Sequence, residues 1–61
     1  MTLGDRMIRY RAENNLTQSQ LAALCKISRP TVCMIEKYGT NATALTRAKI
    51  ELVIGEEEKE E

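Results

Sequence analysis

The sequence predicts an all-α fold, a compact domain of four or five short helices. Apolar residues recur at helical spacing through most of residues 1–55, and a Ser or Thr that can cap a helix stands before each such segment. No segment alternates apolar and polar residues as a strand does. Residues 1–55 are therefore expected to form one domain. The acidic tail, residues 56–61, is expected to be disordered because it contains no apolar residue.

The first helix is predicted over residues 2–14. Thr2 can cap its N-terminus, and Asp5 stands three residues later as the acidic partner of a capping box. Asn14 and Asn15 indicate its end, since Asn tolerates the left-handed conformation that often closes a helix. The apolar stripe along this helix is expected to comprise Leu3, Met7, Ile8, Tyr10 and Ala12.

A second, shorter helix is indicated from residue 17 to about residue 25. Thr17 and Gln20 have the spacing of a capping box. Leu16, just before them, can pack against Leu21 as a hydrophobic staple. The sequence therefore marks the start of this helix twice.

The third helix is predicted over about residues 29–37. Ser28 is a good N-cap, and Pro30 suits the first turn, where its missing N–H costs little. Val32 and Ile35 are the residues expected to face inward. Only two or three residues separate this helix from the second, so the two are expected to cross steeply, as in a helix-turn-helix unit.

A fourth helix is predicted over about residues 44–54, after Gly39 closes the third. Thr43 is the predicted cap, with Thr46 as the alternative, and Gly55 marks the end of the helix. Its apolar side chains cover a face broad enough for both a core and a partner. They are Leu45, Ala48, Ile50, Leu52, Val53 and Ile54.

The composition argues against an enzyme and against a metal site. The sequence contains no His, the commonest general base and the commonest metal ligand. Its two cysteines, Cys25 and Cys33, cannot complete a zinc site alone and are too few for a disulfide framework. We therefore predict no catalytic residue, no metal and no cofactor. Cys25 is expected in the core, packed like a small hydrophobic residue.

The chain shows no targeting or membrane-spanning signal. Its first residues lack a basic segment followed by an apolar one, and no apolar run approaches the roughly 20 residues that cross a bilayer. We therefore expect a cytoplasmic protein with reduced cysteines and no contact with a membrane.

The charges are distributed unevenly, although the formal net charge of the chain is zero. Residues 1–54 contain eight basic and four acidic residues, whereas residues 55–61 contain five glutamates and one lysine. The folded part therefore has a net charge of +4, which suits a surface that meets phosphates. The acidic tail is interpreted as solubilising, with competition for that basic surface as the alternative.

Three segments carry a combined motif: residues 16–22 (LTQSQLA), 27–32 (ISRPTV) and 35–36 (IE). Together they resemble the lambdoid phage repressor and Cro family, also called the Xre family. The resemblance extends from residue 11 to residue 55. It implies a lambda-repressor-like fold and a sequence-specific regulator of transcription, of phage or mobile-element type, that binds double-stranded DNA. It further implies a homodimer on a pseudo-palindromic operator, with no evident small-molecule effector.

The resemblance places the third helix in the major groove as the recognition helix. Arg29 is expected to read a guanine, because its planar fork can bond O6 and N7 together; a solvated surface charge is the alternative. Gln18 and Ser28 are expected to meet phosphates where their helices begin. The residues expected to contact DNA are Gln18, Lys26, Ser28, Arg29, Pro30, Thr31, Cys33, Met34, Lys37, Tyr38, Thr40 and Asn41.

Three of the residues around the recognition helix have two interpretations. Gln20 is interpreted as a capping partner rather than a DNA contact. Cys33 is interpreted as a small residue facing the groove rather than a redox switch. Met34 either contacts the groove or packs within the protein.

The resemblance also pairs Arg11 of the first helix with Glu36 near the end of the third, an ion pair that would be costly to break from one side. Lys26 stands where the family usually has Gly in the turn, so it must adopt a positive φ or reshape the turn. The family commonly adds a fifth helix for core and dimer contacts, where this chain has its acidic tail.

The dimer surface is expected on the fourth helix, through Leu45, Leu52 and Ile54. The rival function is a protein-interaction module with the same fold, an antirepressor or an antitoxin. The neutral overall charge favours that rival, and Cys33 and Met34 on the third helix leave it open.

Overall fold

The described part of the protein contains four α-helices: α1 (Leu3–Asn14), α2 (Gln18–Cys25), α3 (Arg29–Tyr38) and α4 (Ala44–Ile54). The structure is a computed structural model that describes residues 1–39 and 42–55, and within these ranges it contains no strand. The predicted all-α fold is confirmed. Thr40, Asn41 and the acidic tail lie outside the described residues, as does any fifth helix there.

Each helix is capped at its N-terminus by the residue that the sequence predicts. The side-chain oxygens of the four caps, Thr2, Thr17, Ser28 and Thr43, each accept a hydrogen bond from a backbone N–H three residues later. In the capping box of α2, the Gln20 side chain accepts the Thr17 N–H at 2.8 Å. Gln20 is thus a capping partner. Such caps stabilise a helix by about 1 kcal/mol each.

The turn between α2 and α3 is closed by Lys26 in the left-handed conformation, with φ of 60°. Of the two alternatives posed by the missing Gly, the structure shows the first, because Lys26 adopts a positive φ. The Ile27 N–H donates to the Ala22 carbonyl at 3.0 Å, which directs the chain into α3. Asn15 ends α1 in the same left-handed conformation, with φ of 56°.

The core is aliphatic and lies where α1, α2 and α3 meet, with α4 packed against α2 and α1. Its members are Leu3, Met7, Leu21, Ala22, Cys25, Val32, Ile35 and Ile50. Leu16 packs against this core from its position before α2, as the predicted staple requires.

The apolar stripe of α1 is narrower than predicted. Ile8 keeps 42% of its surface exposed, and Ala12 is also exposed, so the prediction for these two residues is wrong. The reason is helical spacing: Met7 is fully buried, and at about 100° per residue Ile8 and Ala12 point about 100° and 140° away from it.

Helix α1 approaches α3 closely at Gly4, where a Cβ would collide with the Ile35 carbonyl oxygen. The Gly4 N–H donates to the Gly39 carbonyl at 2.7 Å.

The carboxylate of Glu51 on α4 pairs with two arginines, of which Arg6 links α4 to α1. Glu51 lies 3.5 Å from Arg6 of α1 and 3.3 Å from Arg47 of its own helix. Arg6 also donates to the Gly55 carbonyl at the end of α4.

Of the helices in the described part of the chain, none is long and apolar enough to cross a membrane.

Candidate nucleic-acid interface

The side chains of α3 divide into a buried and an exposed face. Val32 and Ile35 are fully buried in the core. The exposed face consists of two neighbouring rows with four-residue spacing. The first row is Arg29, Cys33 and Lys37, and the second row is Pro30, Met34 and Tyr38. Because residues four apart lie on the same side of a helix, the two rows together form one continuous outer surface.

All exposed charges on α2, the turn and α3 are positive. These charges belong to Lys26, Arg29 and Lys37, each of which is exposed. The single acid between residues 16 and 39 is Glu36, whose side chain keeps only 6% of its surface and pairs with Arg11. The outer surface of the helix-turn-helix therefore carries unopposed positive charge.

Arg29 occupies the first position of α3. It is exposed and has no hydrogen-bond or ion-pair partner among residues 1–39 and 42–55. At the other end of the helix, the Lys37 ammonium lies 5.4 Å from the centre of the Tyr38 ring. This exposed cation–π contact is weak, and it orients a cation and an aromatic hydroxyl on the same outer surface.

Ser28 and Thr31 engage each other at the start of α3. The Ser28 Oγ accepts the Thr31 N–H at 3.3 Å, and the two hydroxyl oxygens lie 2.7 Å apart. Thr31 is half-buried, whereas Ser28 is exposed. Both hydroxyls therefore complete the cap in the free protein, and their remaining hydrogen-bonding capacity is what a phosphate or a base could use.

A polar cluster joins three helices behind this surface. The carboxylate of Glu36 accepts Arg11 Nε at 2.8 Å and Arg11 Nη2 at 2.9 Å. It also accepts Gln18 Nε2 at 3.0 Å, and Arg11 Nη1 donates to the Leu16 carbonyl at 3.2 Å. The hydrogen bonds that Arg11 donates to Glu36 are the main reason that the pKa of Arg11 is raised above its ordinary value.

The expectation that Gln18 faces a phosphate changes with this geometry. The Gln18 amide donates one hydrogen to Glu36, so the protein itself positions the Gln18 side chain before any ligand binds. No local sequence signal indicates this bond, because the two residues are 18 positions apart and meet only in the folded chain.

The remaining site residues fall into three groups. The structure brings Lys26, Ser28, Arg29, Pro30, Cys33, Met34, Lys37 and Tyr38 together as exposed residues of the turn and α3. Thr40 and Asn41 lie outside the described residues. Of the residues expected at a dimer surface, Leu45 and Leu52 are exposed, whereas Ile54 is partly buried against the core.

The two cysteines differ in their surroundings. Cys25 is buried, and this burial raises the pKa of its thiol. Cys33 is exposed, and both thiols are free. No group of three His, Cys, Asp or Glu side chains in residues 1–39 and 42–55 is placed to hold a metal ion.

Comparison with known proteins gives one family match. A helix-turn-helix family model matches residues 7–60, which include α2, α3, α4 and most of α1. No curated protein and no solved structure gives a significant match to the chain.

Proposed function

The chain belongs to the Cro/C1-type helix-turn-helix family of DNA-binding regulators, and we propose that it is a repressor or Cro-like regulator that binds a specific operator. In this proposal α3 enters the major groove of double-stranded DNA, and two copies bind the halves of a pseudo-palindromic site. The regulator is of the phage or mobile-element type and acts in the cytoplasm. The proposal includes no catalysis, no cofactor and no small-molecule effector.

The observation that carries this proposal is the unopposed positive charge of the outer surface. Lys26, Arg29 and Lys37 stand along the turn and α3 without an exposed acid among them. Duplex DNA presents two lines of phosphates on either side of the groove that a helix enters. A surface with cations at both ends of the inserted helix complements that arrangement.

Arg29 is the residue that would read sequence. Its place in the first turn of α3 suits a contact with base edges, since the N-terminal part of a recognition helix enters the groove first. The guanidinium is not held by another side chain of the described protein, so it can bind guanine O6 and N7 without breaking an internal contact. Such a contact discriminates against a wrong base by roughly 1–3 kcal/mol.

The second copy is proposed to pack against α4. Leu45 and Leu52 leave 67% and 88% of their surfaces exposed, and the exposed Ala48 lies between them on the same side of the helix. One helix-turn-helix unit makes few phosphate contacts, so a lone copy binds weakly, and a twofold pair doubles those contacts. Half-sites on one face of the duplex are then about 34 Å apart.

A protein-interaction module with the same fold is the second candidate. The exposed Met34 and Tyr38 favour it, because apolar and aromatic side chains on one helix suit a protein partner. The positive charges on both sides of these residues favour DNA instead.

Binding to random-sequence duplex DNA, measured by fluorescence anisotropy across a salt series, tests the proposal. We expect affinity to fall steeply with salt, because each phosphate contact releases counterions. Arg29→Ala is expected to relax the preference for a selected operator. Arg9→Ala is the control, since Arg9 is exposed on α1 and pairs with Glu13. Binding that is undetectable at low salt would favour the protein-interaction module.

A further inference from the structure

The exposed face of α3 is charged near both ends of the helix and uncharged in the middle. Arg29 stands at its start and Lys37 near its end, whereas Cys33 and Met34 occupy the middle. Met34 keeps 45% of its surface exposed and does not belong to the residues that pack against the core. In the middle of this exposed face, at Cys33 and Met34, the helix therefore offers thiol and thioether groups and no strong hydrogen-bond donor or acceptor.

The chemistry of the major groove limits what such a surface can recognise. Base edges present hydrogen-bonding groups at N7, O6, N6, N4 and O4, which polar side chains read. The apolar group that they present is the 5-methyl group of thymine. A thioether is flexible and polarisable, so it can pack closely against a methyl group whose exact position depends on the neighbouring bases.

We infer that Met34, with Cys33 beside it, reads the 5-methyl group of a thymine in each half-site, an inference that rests on the proposed DNA-binding function. The cations at both ends of α3 make the groove of a polyanion the better occupant of this apolar patch than the surface of a protein. Met34 is thereby a specificity-determining residue rather than an exposed methionine without a function.

The spacing of the two residues along the helix limits where that thymine lies. Met34 follows Arg29 by five residues, which is about 7.5 Å along the axis at the usual rise of about 1.5 Å per residue. This distance equals about two base-pair steps of roughly 3.4 Å. The thymine is therefore expected about two base pairs from the guanine that Arg29 contacts.

The experiment compares thymine with uracil, which lacks only the methyl group. Duplexes are selected with the full chain from a random library, and each invariant thymine is then replaced by deoxyuridine. We expect the wild-type protein to lose about fourfold in affinity for each contacted methyl group, the factor that corresponds to burying one carbon group. In Met34→Ala the thymine and uracil duplexes are expected to bind equally.

Two further variants control for general effects. Met34→Leu keeps an apolar side chain and is expected to keep the preference for thymine. Ile8→Ala removes a similarly exposed apolar side chain from α1, and it is expected to preserve the wild-type ratio. An effect of the altered stiffness of uracil-containing DNA would persist in all of these variants, so its loss in Met34→Ala alone identifies a contact with the methyl group.

Three outcomes overturn the inference while leaving the proposed function intact. They are a selected half-site without an invariant thymine, equal wild-type affinity for both duplexes, and an unchanged thymine preference in Met34→Ala. If no sequence is enriched at all, the proposed function itself fails and the inference fails with it. The result of the selection therefore distinguishes the two failures.

Discussion

Arg11 and Glu36 join α1 to α3 through a two-pronged contact, with Nε 2.8 Å from Oε2 and Nη2 2.9 Å from Oε1. The two partners are unequally exposed, since the side chain of Glu36 keeps 6% of its surface and that of Arg11 keeps 22%. Among the described residues, removal of Arg11 would leave a buried carboxylate with the Gln18 amide as its remaining side-chain donor. Removal of Glu36 would leave a guanidinium that water can still reach.

Arg11→Met is expected to lower the free energy of unfolding by about 2–3 kcal/mol, because an unpaired buried carboxylate is costly. Glu36→Leu should lower the free energy of unfolding by less than Arg11→Met does, because water can still reach the unpaired guanidinium. The double variant Arg11→Met/Glu36→Leu is the matched control, and we expect it to be more stable than Arg11→Met alone, since two apolar groups replace the pair. Urea denaturation followed by circular dichroism measures all three. An Arg11→Met variant within about 0.5 kcal/mol of the wild type would contradict this account.

Lys26→Gly is expected to stabilise the protein and weaken its binding to DNA. Glycine relieves the left-handed conformation at φ 60°, and after its larger entropy loss a gain of about 0.5–1 kcal/mol remains. The loss of one cation should reduce the slope of log affinity against log salt by about 0.9 if Lys26 contacts a phosphate. Thermal unfolding and anisotropy measure the two effects.

Two variants separate these effects of Lys26. Lys26→Met removes the charge and keeps a side chain, so it should weaken DNA binding without the gain in stability. Asn15→Gly relieves the corresponding conformation at the end of α1 and should leave DNA binding unchanged. Equal salt slopes for Lys26→Met and the wild type would show that Lys26 does not touch the phosphates.

Local sequence signals predict the helix boundaries, but they do not predict contacts between residues that are far apart in the sequence. Thr17 and Gln20 form their capping box within one turn, so four residues of sequence are enough to find it. The bond between Gln18 and Glu36 has no such signal, because it requires α2 and α3 to be already packed. The exposure of Ile8 likewise depends on which side of α1 the other helices cover, and its apolar side chain alone does not indicate that. The sequence pattern of the Arg11–Glu36 pair became apparent only through the family resemblance.

The buried thiol of Cys25 predicts a loss of stability at alkaline pH. Burial raises its pKa in the folded protein above the value of about 8.5 in the unfolded chain. Below that unfolded value the thiol is protonated in both states. As the pH rises through the interval between the two pKa values, the unfolded chain loses its proton first, and the free energy of unfolding falls.

Cys25→Ala removes this contribution and should flatten the alkaline decline of stability relative to the wild type, even though the smaller side chain lowers stability at every pH. Urea denaturation at several pH values between neutrality and pH about 10 makes the comparison. A thiol reagent provides an independent measurement: Cys33 should react in the native protein and Cys25 only after unfolding. Parallel stability curves for the variant and the wild type would contradict the assignment to Cys25.

Leu52→Lys is expected to abolish the proposed dimer without unfolding the protein. Leu52 keeps 88% of its surface exposed, so a lysine there meets water in the monomer but introduces an uncompensated charge where a second copy would pack. Leu24→Lys is the control, because Leu24 is an exposed leucine on α2 rather than on α4. Sedimentation equilibrium should show a smaller mass for the Leu52 variant alone. Its affinity for a two-half-site duplex should drop, while its affinity for a single half-site stays unchanged, because α3 is untouched. A Leu52 variant that remains dimeric would place the contact between copies on another surface.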